Sequence, residues 1–233
     1  MGDYFDLFST SERNIINNPS LHDSTAKTLD ALYEKEVSRL AKEISFMKGR
    51  LIGLLGGNHY AKFSSGITTD HMLAHLLGTK YLGVNSYIRL SFRQGTKHAT
   101  SLSLDIWAHH GLGGGRTVGA SINKVEKMAE IAEADIFLMG HDHHKEVSPK
   151  IRFRLVGAGE NVRLLKRKII LARTGCFLKG YVEGESSYAV DAAYNPNDVG
   201  VVKIEMTPRR SEKGFDEAGN RQDRMWVDLH GSI

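Results

Sequence analysis

The chain has 233 residues, 41% of them hydrophobic, enough to build a core as one large domain or two small ones. Lys and Arg number 31 against 27 Asp and Glu, so the formal charge of +4 is compatible with phosphate-bearing partners without demanding them. The single cysteine, Cys176, excludes an internal disulfide and Cys-rich zinc modules, and no run approaches the roughly 18 apolar residues of a membrane span. A soluble, unprocessed protein of a reducing, cytoplasmic setting is the expectation, with no membrane partner, and eleven histidines form the supply of metal ligands.

In chain order, residues 24 to 47 carry a helical period (Leu29, Leu32, Val37, Leu40, Ile44, Phe46), capped by Ser24 or Thr25 and expected to pack on a sheet. Leu51 to Leu55 reads as a buried strand stopping at Gly56-Gly57, and Thr68 or Thr69 caps a second helix through Leu77. Strands are predicted over 84–93 and 100–108, a helix from Ile122 to Ala132, and a short strand from Ile136 to Met139 ending in Gly140. Beyond Pro149 the pattern turns β-rich, near 151–157, 162–173, 176–182 and 199–206, while Thr207 to Arg224 reads as a polar, mobile tail.

Three times an apolar strand ends in glycine beside metal-binding side chains: Gly57-Asn58-His59, His109-His110-Gly111 and Gly140-His141-Asp142-His143. Strand carboxyl ends are where open α/β sheets bind ligands, and glycine admits close backbone approach. Imidazole, carboxylate and amide oxygen together suit Zn, Mn or Fe. One such histidine reads first as a hydrogen-bonded residue near a strand end; three clusters reverse that reading.

Gly2-Asp3-x-x-Asp6, Gly57-Asn58-His59, a histidine next to Gly111, and Gly140-His141-x-His143 resemble, in order, the later signatures of calcineurin-like metallophosphoesterases, over about residues 2 to 143. The resemblance implies a four-layer α-β-β-α sandwich of two mixed β-sheets flanked by helices. It makes the chain a single domain, 1–145 holding the metals, 146–206 completing the second sheet and 207–233 forming the tail. It implies a dinuclear centre of two divalent metal ions, with Asp3 bridging, Asn58, His110 and His141 on the second metal and His143 on the first. His59 would face the substrate and stabilise or protonate the leaving oxygen, a task that suits an imidazole. His110 is preferred to His109 because the family's isolated ligand commonly precedes glycine; His109 would stand behind the ligands. All of these side chains are expected to converge on one pocket.

The activity so implied is hydrolysis of phosphate mono- or diesters by a water that the metals activate, as in phosphatases, nucleotidases and nucleases. Two departures stand out. Tyr60 occupies the place where the family has Asp or Glu, so another group, with Asp6 as candidate, is expected to orient His59. The family's preceding Asp-x-His strand is absent, so Met1 reads as an internal methionine, a truncation or a misassigned start. The alternative reading is accordingly a catalytically impaired or non-enzymatic remnant that binds metal or nucleic acid. Arg116, after the loop from Gly111 to Gly115, could border the substrate phosphate. The basic run Arg163, Lys166, Arg167, Lys168 and Arg173 could track a nucleic-acid backbone or form a solvated strand face.

Overall fold

A computed structural model describes residues 1–8, 10–16, 22–93, 101–113, 117–184, 187, 190, 193–210 and 225–233. The chain forms two compact units, one of residues 1–86 with 109–111 and one of residues 87–108 with 112–233.

In the first unit the helices are α1 (Thr10–Ile16), α2 (Asp23–Glu43) and α3 (Thr69–Leu76). Helix α2 begins one residue before the expected cap, because His22 Nδ1 accepts the Ser24 N–H, and its last turn tightens into a 3-10 segment at Ser45–Met47. Its apolar stripe packs not on a sheet but on α3 and the Leu54 segment, with Val37, Ala41, Leu54, Leu73, Ala74 and Leu77 as the core. Helix α3 starts at the first of the two predicted caps, with the Thr68 side chain accepting from the His71 N–H. The segment Leu51 to Leu55 is extended but pairs at a single parallel bridge, Leu54 with Tyr81, so it forms no ladder. Gly56 then donates to the Gly83 carbonyl at 2.8 Å, which carries the chain to Gly57 and Asn58 in a fixed direction.

The second unit is layered. Strands β1 (Asn85–Arg93), β2 (Ser101–His109), β3 (Ile136–Met139), β4 (Lys145–Val156) and β5 (Arg163–Thr174) form one sheet in the order β1-β2-β3-β5-β4. It is mixed, with β3 parallel and β4 antiparallel to β5. Helix α4 (Val118–Ile131), capped by Thr117, covers one face through Val125, Met128 and Ala129 against Trp107, Phe137, Ile169 and Leu171. A two-stranded antiparallel sheet, β6 (Lys203–Arg210) and β7 (Met225–Ser232), covers the other, with Ile204, Met206, Val227 and Leu229 against Ile106, Ile136, Ile170 and Ala172. Strand β5 is therefore buried from Ile169 to Arg173 on both faces, which is why its apolar run is continuous.

The fold is thus mixed α/β, with a five-stranded mixed sheet, a two-stranded sheet and helices. Several expectations change. Thr207–Arg210 and Met225–Ser232, read as tail, are strands: their polar residues alternate with apolar ones that cover the larger sheet. Residues 211–224 lie outside the described residues. Strand β4 starts earlier than predicted and passes through Pro149, which its position at the sheet edge permits. No strand is assigned over 176–182. Among the described residues no helix is long and apolar enough to cross a membrane.

Candidate metal centre

In the first unit three stretches of backbone meet where side chains are absent. A Cβ on Gly57 would lie 2.0 Å from Asp3 Oδ1, and one on Gly2, whose φ is +92°, would lie 2.5 Å from His110 Nδ1. That room lets Asp3 reach the turn after Gly57, where its Oδ1 accepts the backbone N–H groups of Asn58 (2.6 Å) and His59 (2.9 Å). Its Oδ2 lies 3.1 Å from His110 Nε2, which is also 2.9 Å from Asn58 Oδ1. The other ring nitrogen, Nδ1, donates to the Met1 carbonyl at 2.8 Å. A carboxylate oxygen, an amide oxygen and an imidazole nitrogen thus converge around a histidine that is 3% exposed.

Both His110 nitrogens face acceptors, which favours a proton on each, and the Nε2 proton is the one that a metal ion would displace. Burial opposes the positive charge, but the Asp3 hydrogen bond, the Met1 carbonyl and the Asp3 charge outweigh it and raise the pKa. For Asp3 burial likewise pushes upward, and the bond and charge of His110 with the two backbone N–H groups win, bringing it down to about 2.

His59 Nδ1 lies 3.0 Å from Asp6 Oδ1. The same turn is gripped from behind by Arg13 of α1, a residue the sequence pattern did not single out. Arg13 is 8% exposed, and its Nη1 donates to the carbonyls of Asn58 (2.7 Å) and Tyr60 (3.2 Å). Its guanidinium sits 4.0 Å from the centroid of the Tyr60 ring. The Tyr60 ring is therefore the seat of a cation. Replacing Arg13 by alanine removes a charged donor from the carbonyls of Phe8, Asn58 and Tyr60 and the packing on Tyr60. It should lower stability by about 2–4 kcal/mol, read from chemical denaturation.

Asp70, in the first turn of α3 and 1% exposed, accepts the Gly57 N–H at 2.9 Å, while its Oδ1 has no donor among the described residues. Burial, only partly offset by that bond, and the Asp3 charge raise its pKa to about 6. An acid whose folded pKa is raised binds its proton more tightly when folded. The contribution of Asp70 to stability is therefore greatest below about pH 4, falls as pH rises from about 4 to 6, and is flat above. Asp70→Asn keeps the acceptor for Gly57 and removes the ionisation. It is expected to be more stable than the parent by about 1–3 kcal/mol at pH 7.5, with no gain at pH 4, in parallel urea titrations.

In the second unit the turn after β3 carries His141 and His143 with φ of +77° and +63°, a left-handed conformation that costs roughly 1–3 kcal/mol per residue. Asp142 between them is not a spacer. Its side chain is 1% exposed, accepts the Ser121 hydroxyl at 2.7 Å and pairs with Arg173 at 2.9 Å. The structure thus brings together Asp3, Asn58 and His110, with His59 and Asp6 beside them, in the first unit. It places His141 and His143 on the β3 turn of the second. His109 Nδ1 accepts the Gly111 N–H at 2.8 Å, and burial, with the His110 charge, lowers its pKa. Arg116, Gly114 and Gly115 lie outside the described residues.

The basic run lies along β5. Strand alternation divides it, with Arg163, Arg167 and Arg173 on the α4 side of β5 and Lys166 and Lys168 on the other. Arg173 is fully buried, Arg167 pairs with Asp135 at 2.6 Å, and Lys168 donates to the Leu229 carbonyl at 3.0 Å.

Compared with models of protein families, with curated proteins and with solved structures, the chain matches none.

Proposed function

We propose that this chain is a metallophosphoesterase that hydrolyses phosphate mono- or diesters at a centre for two divalent metal ions of the Mn, Fe or Zn type. The observation that carries the reading is the convergence of Asp3 Oδ2 and Asn58 Oδ1 on His110 Nε2, at 3.1 and 2.9 Å. Hard oxygen donors and an imidazole, with the far ring nitrogen fixed by a carbonyl, form a donor set that such ions accept. His141 and His143 enter as further ligands through the sequence pattern, Asp3 as the bridge. The four-layer sandwich belongs to the same proposal, supported by the succession of α4, larger sheet and smaller sheet in the second unit.

Bound cations would supply positive charge against the phosphate oxygens and an acidified water. The chain's own contribution is positional. Asp3, held by two backbone N–H groups, keeps a carboxylate ionised at the centre. His59 would donate the proton on Nε2 to the departing oxygen while Asp6 at Nδ1 stabilises the imidazolium. Nucleic acid remains one form of phosphate ester within the proposal, with no support from β5.

The test is Mn²⁺-dependent hydrolysis of a chromogenic phosphodiester and monoester, with chelator and with the His110→Ala and His59→Ala variants. Turnover by the parent that chelator and both substitutions suppress supports the reading. Turnover indifferent to all three would sink it.

A further inference from the structure

The α4 face of the second unit contains a buried charged cluster for which the hydrolytic reading alone gives no reason. Arg173, near the end of β5, is 0% exposed and directs each arm of its guanidinium to a different element. Nε donates to the Ser121 carbonyl of α4 at 3.0 Å, and Nη1 donates to the Gly140 carbonyl at the end of β3 at 2.7 Å. Nη2 lies 2.9 Å from Asp142 Oδ2, which also accepts the Ser121 hydroxyl at 2.7 Å. Glycine 140 and Asp142 flank His141, and Asp142 and His144 flank His143, whose following N–H approaches Asp142 Oδ1 at 3.4 Å. Thus the two residues in left-handed conformation are each bracketed by groups that Arg173 or its carboxylate partner holds.

We infer that Arg173 and Asp142 are positioning residues that fix the His141–His143 turn in a ligand-ready conformation before any metal arrives. The inference rests on the proposed metal role of those two histidines. A structural ion pair would have no need of its geometry: buried charge is costly unless fully hydrogen-bonded, and a well-packed apolar pair would fill the space as well. What an apolar pair would not provide is a cation that hydrogen-bonds the Gly140 carbonyl through one arm and meets the Asp142 charge with the other, one on each side of His141. Strained backbone persists only where its surroundings over-determine it, and this cluster supplies that constraint from two other elements, α4 and β5.

The probes are Co²⁺, whose absorption reports ligand geometry, and amide hydrogen exchange of the metal-free protein. Arg173→Lys keeps the charge and loses the fork; Asp142→Asn keeps the shape and loses the charge, so it decides the matter if the lysine variant does not fold. Each should accelerate exchange at residues 141–144 at least about tenfold in the metal-free state while β3 and β5 stay protected. Each should also weaken Co²⁺ binding by about 10–100-fold, the usual effect of removing a group that orients a ligand, and alter the absorption bands. Parent-like exchange and parent-like Co²⁺ spectra in the folded variants would overturn the inference. Faster exchange with a parent that binds no Co²⁺, or binds it equally well as His141→Ala, would uphold the clamp and overturn the metal reading instead.

Discussion

His110→Ala is expected to weaken Mn²⁺ binding by more than about 100-fold, beyond the 10–100-fold that losing an orienting partner causes, and to take hydrolysis below detection. The ring joins Asp3, Asn58 and the Met1 carbonyl, so its removal leaves the two oxygen donors without the nitrogen that completes their set. Folding should survive, because Asp3 keeps both backbone N–H groups and the His110 N–H still reaches the Val84 carbonyl at 2.8 Å. A stability loss of about 1–3 kcal/mol is nevertheless expected from the unfilled space and lost bonds. Equilibrium dialysis on protein verified as folded by circular dichroism separates the two effects. If the folded variant holds Mn²⁺ within threefold of the parent, His110 is not a ligand.

His59→Ala should separate chemistry from binding. Its imidazole contacts neither Asp3 nor His110 among the contacts described, and meets Asp6 at its Nδ1. Mn²⁺ content should stay at the parental level while kcat falls by roughly 10²–10⁴, the range for losing a positioned proton donor. Asp6→Asn should cost less, about tenfold, because an amide still holds the ring but no longer stabilises its charge. The effect should also depend on the leaving group: an activated nitrophenolate needs little protonation, whereas an alkyl phosphodiester needs much. Equal losses on both substrates would count against the assigned role of His59.

Much of the secondary structure was legible because it lay in local periodicity. The α3 cap at Thr68, the β3 run from Ile136 to Met139 and the long apolar β5 all follow from spacing that short-range rules capture. In the smaller sheet only the start of β6 was legible, within the strand predicted near 199–206; the rest of β6 and all of β7 were missed because alternation there is diluted by charge and the partner face lies far away in sequence. Among site residues, Asn58 and His110 could be named because glycine-flanked polar clusters mark them, and Asp3 only through the family resemblance. Arg13, Asp70, Asp142 and Arg173 could not, for their role is to bind backbone carbonyls and N–H groups, and such partners leave no spaced pattern. Arg173 shows the cost of reading charge without topology: in a row of cations it looked like surface, yet alternation turned it under α4.

The outermost strand of the larger sheet holds a residue without an amide hydrogen at its middle, and the register to β5 runs through Pro149 without a break. The missing hydrogen therefore belongs to the side that faces water. A neighbouring copy seeking to add a sixth strand would find the row of donors interrupted there, although Ile151, Phe153 and Leu155 stand exposed just beyond. Among the described residues Pro149 thus breaks the row of donors on the outer side of β4, an arrangement that discourages edge-to-edge pairing.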